Sequence, residues 1–438
     1  MFAKNNNVLT DIFQSGLCTR CGTCVGLSDG AIEFVERSGR YLPKLKREIA
    51  PSLVKRIVTG CSAAKVSFPA LNSFVFGKDA PRHSYLGHTR TLGIAFACDP
   101  ELRRACAAGG IITSVLIWLL ERGDIQGAVV SGMDKKQPWF STSFIATTVD
   151  EIISAAQSKY IITSVNEILP EIASFDGALA YVGLPCQVHS IRKLQVAGDP
   201  VVKNIKLVIG PYCGNTLHFS SITSFLRSHG FNDHTQIEKL AFREGEWPGN
   251  MRITMKSGEV LSLPKFHANY LIPFYIMKRC LLCTDLANEF TDISVGDAWS
   301  PAYEERGKGF SLVIARSKAG QDIIEEMTRT SVIDVSPITI EEALSMHTHG
   351  YDLKKRGAFI RIGFRKFFRK KVPDYEYELD EFTVKKFVME IIISTLFALF
   401  GTRLSRAILV RINPRLLGNL FESLRVVWKR MTRNIKQK

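Results

Sequence analysis

The chain has 438 residues, 46% of them hydrophobic and 23% charged, a balance that supports a sizeable buried core and excludes wholesale disorder, collagen and a simple coiled coil. Its 57 basic and 42 acidic residues leave a formal net charge of +15. From Lys354 onward there are 21 basic and 7 acidic residues, so the body is nearly neutral and gives no basis for a nucleic-acid partner.

The chain opens with Lys4 and three asparagines and lacks the apolar stretch of a secretory signal, so a cytoplasmic address is expected. Residues 1–90 hold the densest group of cysteines among Pro and Gly punctuation and read as a small cysteine-rich module with a linker at 83–90. Cys18-x-x-Cys21-x-x-Cys24 is the most specific pattern in the sequence. Three thiolates at this spacing wrap a turn of loop around a cubane [4Fe-4S] cluster, each reaching a different iron. Ser28 stands where a bacterial ferredoxin continues with its next cysteine, so one cluster is expected here, with Cys61 the nearest fourth ligand. A zinc site is the competing reading, because Cys-x-x-Cys pairs also hold Zn²⁺.

From about Thr91 the texture changes to helices alternating with apolar strands. Residues 109–121 have helical periodicity, entered through Gly109-Gly110. Residues 127–131, 178–182 and 207–209 read as short buried strands, with helices at 187–195 and 220–229. This alternation predicts an α/β fold with a mixed, largely parallel sheet covered by helices. Two single cysteines, Cys186 in Gly-Leu-Pro-Cys-Gln and Cys213 in Pro-Tyr-Cys-Gly, follow strands directly, where loops at the carboxyl ends of a parallel sheet converge on ligands. Residues 251–263 read as an antiparallel insertion, with Ser257-Gly258 as a hairpin turn. Next comes the pair Cys280-x-x-Cys283, which with Cys186 and Cys213 makes four thiolates able to meet. Inert burial of Cys186 and Cys213 is the alternative, and packing is the expected role of Cys98 and Cys106. A further strand is expected at 311–315. His347 and His349 read as surface-loop residues.

Residues 336–438 form a basic helical tail, with Pro373 and Pro414 as breaks. Nine Lys and Arg without an acidic residue lie between Lys354 and Pro373, interleaved with Phe359, Phe364, Phe367 and Phe368. Residues 387–400 are strongly apolar, and 403–430 alternate basic and aliphatic residues at helical spacing. This is the composition of an interfacial helix on an anionic membrane, peripheral to the inner face of the cytoplasmic membrane and not spanning it. A solvated basic face on helices that pack against the body is the alternative.

Taken together, Cys18–Cys24, Ala107-Ala-Gly109-Gly110, Ser158-Lys159-Tyr160, Gly183-Leu-Pro-Cys186-Gln187, and Cys280-Leu-Leu-Cys283-Thr-Asp285 followed by Asp292-Ile-Ser-Val-Gly296-Asp297 resemble the coenzyme F420 hydrogenase/dehydrogenase β-subunit family. That family is similar to the reductases of chlorophyll intermediates (7-hydroxymethyl chlorophyll a reductase and divinyl chlorophyllide reductase). The resemblance runs from about Cys18 to Ala315. It implies an FAD- and [4Fe-4S]-containing oxidoreductase whose 91–335 segment is the FAD/iron-sulfur domain. FAD would lie near Gly109, Gly110, Lys159, Asp285 and Asn288, and a second cluster would take Cys186, Cys213, Cys280 and Cys283. Lys159 would polarise the flavin or hold a substrate carboxylate, and Asp285 and Asp297 would orient ribityl hydroxyls. Ala108 replaces the usual serine of the helix start, which removes one hydroxyl contact. The expected electron donor is ferredoxin or a similar protein, and the expected acceptor is a small molecule, the deazaflavin coenzyme or a lipid-linked sugar. A non-catalytic zinc or cluster scaffold is the alternative from another class.

Overall fold

The computed structural model describes residues 2–37, 40–300, 302–303, 308–379 and 383–436; side chains are described from 8 to 36 and from 41 to 427 within those limits. Its centre is an eight-stranded mixed sheet. From edge to edge the strands are Ile333–Pro337, Thr91–Ala97, Ser311–Ala315, Ile293–Asp297, Ile205–Pro211, Leu179–Val182, Gly127–Met133 and Ser141–Ala146. The four strands from Ile293–Asp297 to Gly127–Met133 run parallel, and both flanks are antiparallel. The expected α/β class with a largely parallel centre is what the chain adopts. The parallel strands read as near-continuous apolar runs because helices cover both of their faces.

Helix Ile111–Glu121 shows how the pattern becomes structure. Gly110 at its N-cap has φ 82°, a left-handed conformation that glycine adopts without steric cost. Ile111, Val115, Leu116 and Leu119 are buried against Ala128, Val130 and Ile209 of the sheet, and each contributes roughly 1.5–3 kcal/mol by leaving water. The Gly-Leu-Pro-Cys-Gln segment is equally legible. Pro185 opens helix Pro185–Val196, and the Gln187 side chain accepts from the Leu184 amide at 2.7 Å, closing the helix end. Cys186 is thereby held in the first turn, beside the sheet's carboxyl edge.

The insertion forms a separate three-stranded antiparallel sheet, Ile237–Glu244, Asn250–Met255 and Val260–Pro264. The hairpin turn stands at Ser257-Gly258, with Gly258 at φ 84°.

Two findings differ from the expected organisation. Residues 1–90 do not carry a core of their own: Leu9, Leu27, Ile57 and Phe68 share one cluster with Val188, Ile191 and Val208 of the sheet layer. The tail also packs against the body. Phe359, Ile362 and Tyr375 share that same core, and Leu409 and Leu417 of the last helices join the core of the antiparallel insertion. The segment around Asp374 pairs with Lys65 and the backbone beside it. Lys354, Lys355, Arg356 and Arg361, expected on a membrane or solvent face, are buried. Two of them have carboxylate partners distant in sequence, Lys355 pairing with Glu289 and Arg361 with Glu390, while Arg356 pairs with Asp352 one helical turn away. Beyond residue 383 the helices Val384–Phe400, Arg403–Leu409 and Pro414–Lys436 follow, the first break falling at Gly401-Thr402. Arg430, near the end of the basic–aliphatic pattern, lies outside the described side chains.

Candidate functional site: two cysteine cavities and a cleft

Cys18, Cys21, Cys24 and Cys61 line one small cavity, with Phe34, Ile57 and Ala63 as its apolar wall. Helix Pro51–Gly60 ends at Cys61 and so delivers it to the loop of the other three. Gly22 turns that loop at φ 96°, and a Cβ there would stand 2.6 Å from the Glu167 amide nitrogen. Ser28, in place of a further cysteine, caps the turn instead: its hydroxyl donates to the Val25 carbonyl at 2.9 Å and accepts from the Ile32 amide at 3.0 Å. Burial, reinforced by the neighbouring cysteines, pushes the Cys24 thiol well above its ordinary value, and burial with Cys21 brings Cys61 to about 12.

Cys186, Cys213, Cys280 and Cys283 line a second cavity, closed by Met277, Arg279, Lys354 and Tyr375. Burial and the other three cysteines raise the Cys186 thiol strongly. Burial also brings Cys213 to about 12, although the Lys354 charge acts in the opposite direction. All ten cysteines are free thiols. Thiols crowded in this way ionise only when a cation accompanies them, and metal ligation deprotonates a thiol outright. The two donor sets therefore fit an iron–sulfur group each. No three His, Cys, Asp or Glu side chains among the described residues converge as a single metal ion requires; a cubane is wider than an ion and takes thiolates farther apart.

The two cavities are neighbours. Thr19 and Ser62, bonded to each other at 3.0 Å, line the second cavity and adjoin Cys18 and Cys61 of the first. The second cavity in turn adjoins a cleft of about 270 Å³ at the carboxyl edge of the sheet, with Cys213, Gln187 and Thr163 common to both. Gly110, Lys159 and Asp297 line this cleft, together with Cys106, Ser311 and Tyr212. Ligands bind at such carboxyl-edge crevices in open α/β sheets.

The expected cofactor residues fall into two groups. Lys159 lies in the cleft; its ammonium donates to the carbonyls of Ala155, Ala156 (2.8 Å) and Gln157 (3.1 Å), and burial lowers its pKa to about 8. Asp297 lies there too, its carboxylate held by Arg243 at 2.7 Å. Gly109 stands behind the cleft wall: a Cβ would meet the Ala95 carbonyl oxygen at 2.4 Å, so its smallness serves the contact of backbone with strand. Asp285 and Asn288, expected beside the flavin, do not line the cleft. Both are buried in the protein. Burial alone would raise the Asp285 carboxyl, but its hydrogen bond from His189 at 2.9 Å and the Lys355 and Arg316 charges hold it below the usual range. Asn288 donates to the Gly183 and Pro211 carbonyls at 2.8 and 3.2 Å, tying together two loops that do line the cleft.

Other residues of the cleft were not anticipated. Ser311 donates no motif, yet its hydroxyl accepts from the Gly109 amide at 2.9 Å, a polar contact at the helix start where Ala108 offers none. A second chamber of about 330 Å³ shares Tyr160, Tyr212, Asn215 and Asp297 with the first and adds Arg243, Lys265 and Trp299 from the insertion and the loop after Asp297. His347, read as a surface residue, lines this chamber and bonds the Asp297 carbonyl at 2.7 Å. Single polar residues of this kind carry no spacing signal; only the fold collects them.

Fold and site together define an α/β protein with two thiol-lined cavities in series with a carboxyl-edge cleft. Residues 94–170 match the N-terminal part, and residues 176–341 the C-terminal part, of the coenzyme F420 hydrogenase/dehydrogenase β subunit. These segments cover more than half of the chain, and the chain belongs to that family. It is 27% identical over 333 residues to the coenzyme F420-dependent sulfite reductase of Methanocaldococcus jannaschii, covering 72% of this chain but only 46% of that protein. The coenzyme F420 hydrogenase subunit β of Methanothermobacter thermautotrophicus is 29% identical over 258 residues, 58% of this chain and 86% of the relative. A chain of the F420-reducing [NiFe] hydrogenase complex from Methanosarcina barkeri shares the fold, with TM-score 0.54 and 23% identity over 68% of this chain and 100% of that one. The named relatives are oxidoreductases or their subunits, so the family is one of redox proteins.

Proposed function

We propose that the chain is an iron–sulfur flavoprotein oxidoreductase that takes electrons from a protein donor such as ferredoxin and delivers them to an organic acceptor. The observation that carries this reading is the serial arrangement of two four-cysteine cavities and a carboxyl-edge cleft, each sharing residues with or directly flanking the next. Cys18, Cys21, Cys24 and Cys61 would hold one [4Fe-4S] cluster, and Cys186, Cys213, Cys280 and Cys283 the other. The cleft would hold FAD. When bound, these groups supply the exchange between one-electron and two-electron chemistry, while the protein supplies position and electrostatics. On this reading Gly110 presents the amide end of an eleven-residue helix to an anionic group, and Lys159 keeps a cation at the cleft wall. Tyr212, Arg243 and Asp297 shape the neighbouring chamber for the acceptor. Anaerobically isolated protein should contain about eight iron atoms and a stoichiometric flavin, read by iron assay and visible spectroscopy. A colourless, zinc-containing protein would reject the reading and support a scaffold.

The relatives favour a second acceptor, the deazaflavin coenzyme, with the chain acting as a β subunit beside a hydrogenase or dehydrogenase subunit. Stoichiometric co-purification with such a subunit, and reduction of the coenzyme by the isolated complex, would select it over a free-standing enzyme.

The last helices bear on location. No single helix among the described residues is long and apolar enough to cross a membrane; Val384–Phe400 and Arg403–Leu409 meet the length and composition only together, across a 73° bend. These two helices and the one that starts at Pro414 nevertheless expose Val384, Ile391, Ile392, Leu399, Leu404 and Leu416, with Arg403, Arg411 and Arg415 exposed nearby. An anionic membrane surface matches both features, since apolar side chains enter the acyl boundary and each cation adds about 1 kcal/mol. We take this as peripheral attachment to the inner face of the cytoplasmic membrane, which would bring a lipid-linked sugar of envelope polysaccharide assembly within reach as acceptor. The protein should float with anionic liposomes and be partly released by salt. Leu399→Glu, Leu404→Glu and Leu416→Glu together should abolish flotation without loss of iron. Flotation unchanged by these substitutions would remove the apolar face from the argument.

A further inference from the structure

Three lysines are almost wholly buried among the described residues: Lys354, Lys355 and Lys386. Two have carboxylate partners. Lys355 pairs with Glu289, and Lys386 with Asp352 and with Glu390 at 3.1 Å. Lys354 is different. It ends helix Thr348–Lys354 with 1% of its surface exposed, and its ammonium donates to the Cys280 carbonyl at 3.2 Å. No carboxylate among the described residues forms an ion pair with it. Its side chain lines the cavity of Cys186, Cys213, Cys280 and Cys283. A buried ammonium is stable only beside a compensating negative charge, and the thiolates of that cavity are the groups at hand.

We propose that Lys354 is a tuning residue of the second cysteine site: its fixed positive charge compensates the four thiolates and raises the reduction potential of the iron–sulfur cluster they hold. The inference rests on the four-thiolate reading of that cavity. Reduction brings in one electron from the donor and with it one more negative charge. Lys354 stays protonated throughout and exchanges nothing; it stabilises the more negative state more than the less negative one. The residue lies beyond the family-matched segment, which ends at 341. The device thus belongs to the C-terminal segment of this chain, which also places the Tyr375 hydroxyl on the Leu282 carbonyl at 2.8 Å and on the Arg279 guanidinium at 2.9 Å, closing the cavity from the same side.

The test compares full-length wild type, Lys354→Met and Lys354→Arg, purified anaerobically and titrated with dithionite under electron paramagnetic resonance. The signal followed is the one that Cys283→Ser lacks. Lys354→Met should keep its iron and titrate at a lower midpoint potential, while Lys354→Arg stays near wild type. Loss of second-site iron in Lys354→Met alone, restored in Lys354→Arg, would also support charge compensation, acting at assembly. An unchanged midpoint in Lys354→Met, or an equal shift or equal iron loss in both variants, would overturn the proposal while leaving the cluster reading intact. Wild-type protein without second-site iron would instead reject the four-thiolate reading.

Discussion

Replacing Cys283 by serine should lower the iron content by about four atoms per chain and abolish electron delivery to any acceptor in the cleft. Cys283 lines the second cavity with Cys186, Cys213 and Cys280, and that cavity lies between the N-terminal cysteines and the cleft. On the proposed route, loss of the middle station would interrupt transfer even with both ends intact. Flavin retention should fall as well, although not through Asp285 or Asn288 touching the cofactor. Cys213 is common to the cavity and the cleft, and Asn288 ties the Gly183 and Pro211 loops together from behind. Slackening of the cysteine loops therefore reaches the cleft wall. Cys21→Ser is the control: it should cost a similar amount of iron at the first cavity but leave flavin bound. Iron assay and flavin release measure both. Full iron content in Cys283→Ser would reject the ligand assignment, and full flavin occupancy would show that the two sites are independent.

Glu390→Ala should destabilise the protein by about 3–5 kcal/mol, the usual cost of removing one partner from a buried ion pair. Glu390 is fully buried and is shared by Arg361 and by Lys386, which stands 3.1 Å away. Arg361 also donates to the Leu281 carbonyl at 2.7 Å, next to the Cys280–Cys283 pair. Removal of the carboxylate leaves two buried cations with less compensation, beside the loop that carries two of the cysteines. Denaturant unfolding should show the loss as a lower midpoint with an unchanged slope. A change below about 1 kcal/mol would mean that the cations find other partners or water. The same geometry makes truncation after Tyr351 a poor probe of membrane binding. It would remove Lys354, Phe359 and Tyr375 from the interior, so substitutions on the exposed apolar face isolate that function instead.

Short-range chemistry was legible. Cys-x-x-Cys-x-x-Cys, the Pro-Cys-Gln helix start and the Gly109-Gly110 entry each place their atoms within one or two turns of backbone, where spacing and φ preferences decide the geometry. The apolar runs at 127–131, 178–182 and 207–209 likewise declared a buried parallel sheet, because both faces of those strands must meet helices. Each of these expectations depends only on neighbours in sequence.

What depended on distant partners was not legible in the same way. Asp285 follows Cys283 closely enough to be taken for a cofactor ligand, yet His189, 96 positions away, claims its carboxylate. The run from Lys354 to Pro373 has no acidic residue of its own and so looks solvated or membrane-facing. Its first part is nevertheless interior, where Glu289 neutralises Lys355 and Glu390 neutralises Arg361, while Lys366, Arg369, Lys370 and Lys371 stay exposed. Arg243, Lys265, Ser311 and His347 reach the cleft and its neighbouring chamber from four separate segments and leave no pattern in the chain. The sequence by itself determined the fold class, the thiol-bearing loops and the strand ends that present them, since local periodicity and turn chemistry act over a few residues. Only the tertiary structure decided which cation is neutralised by which acid and which single residues share a cavity, because burial brings together groups whose separation along the chain carries no information about their contact.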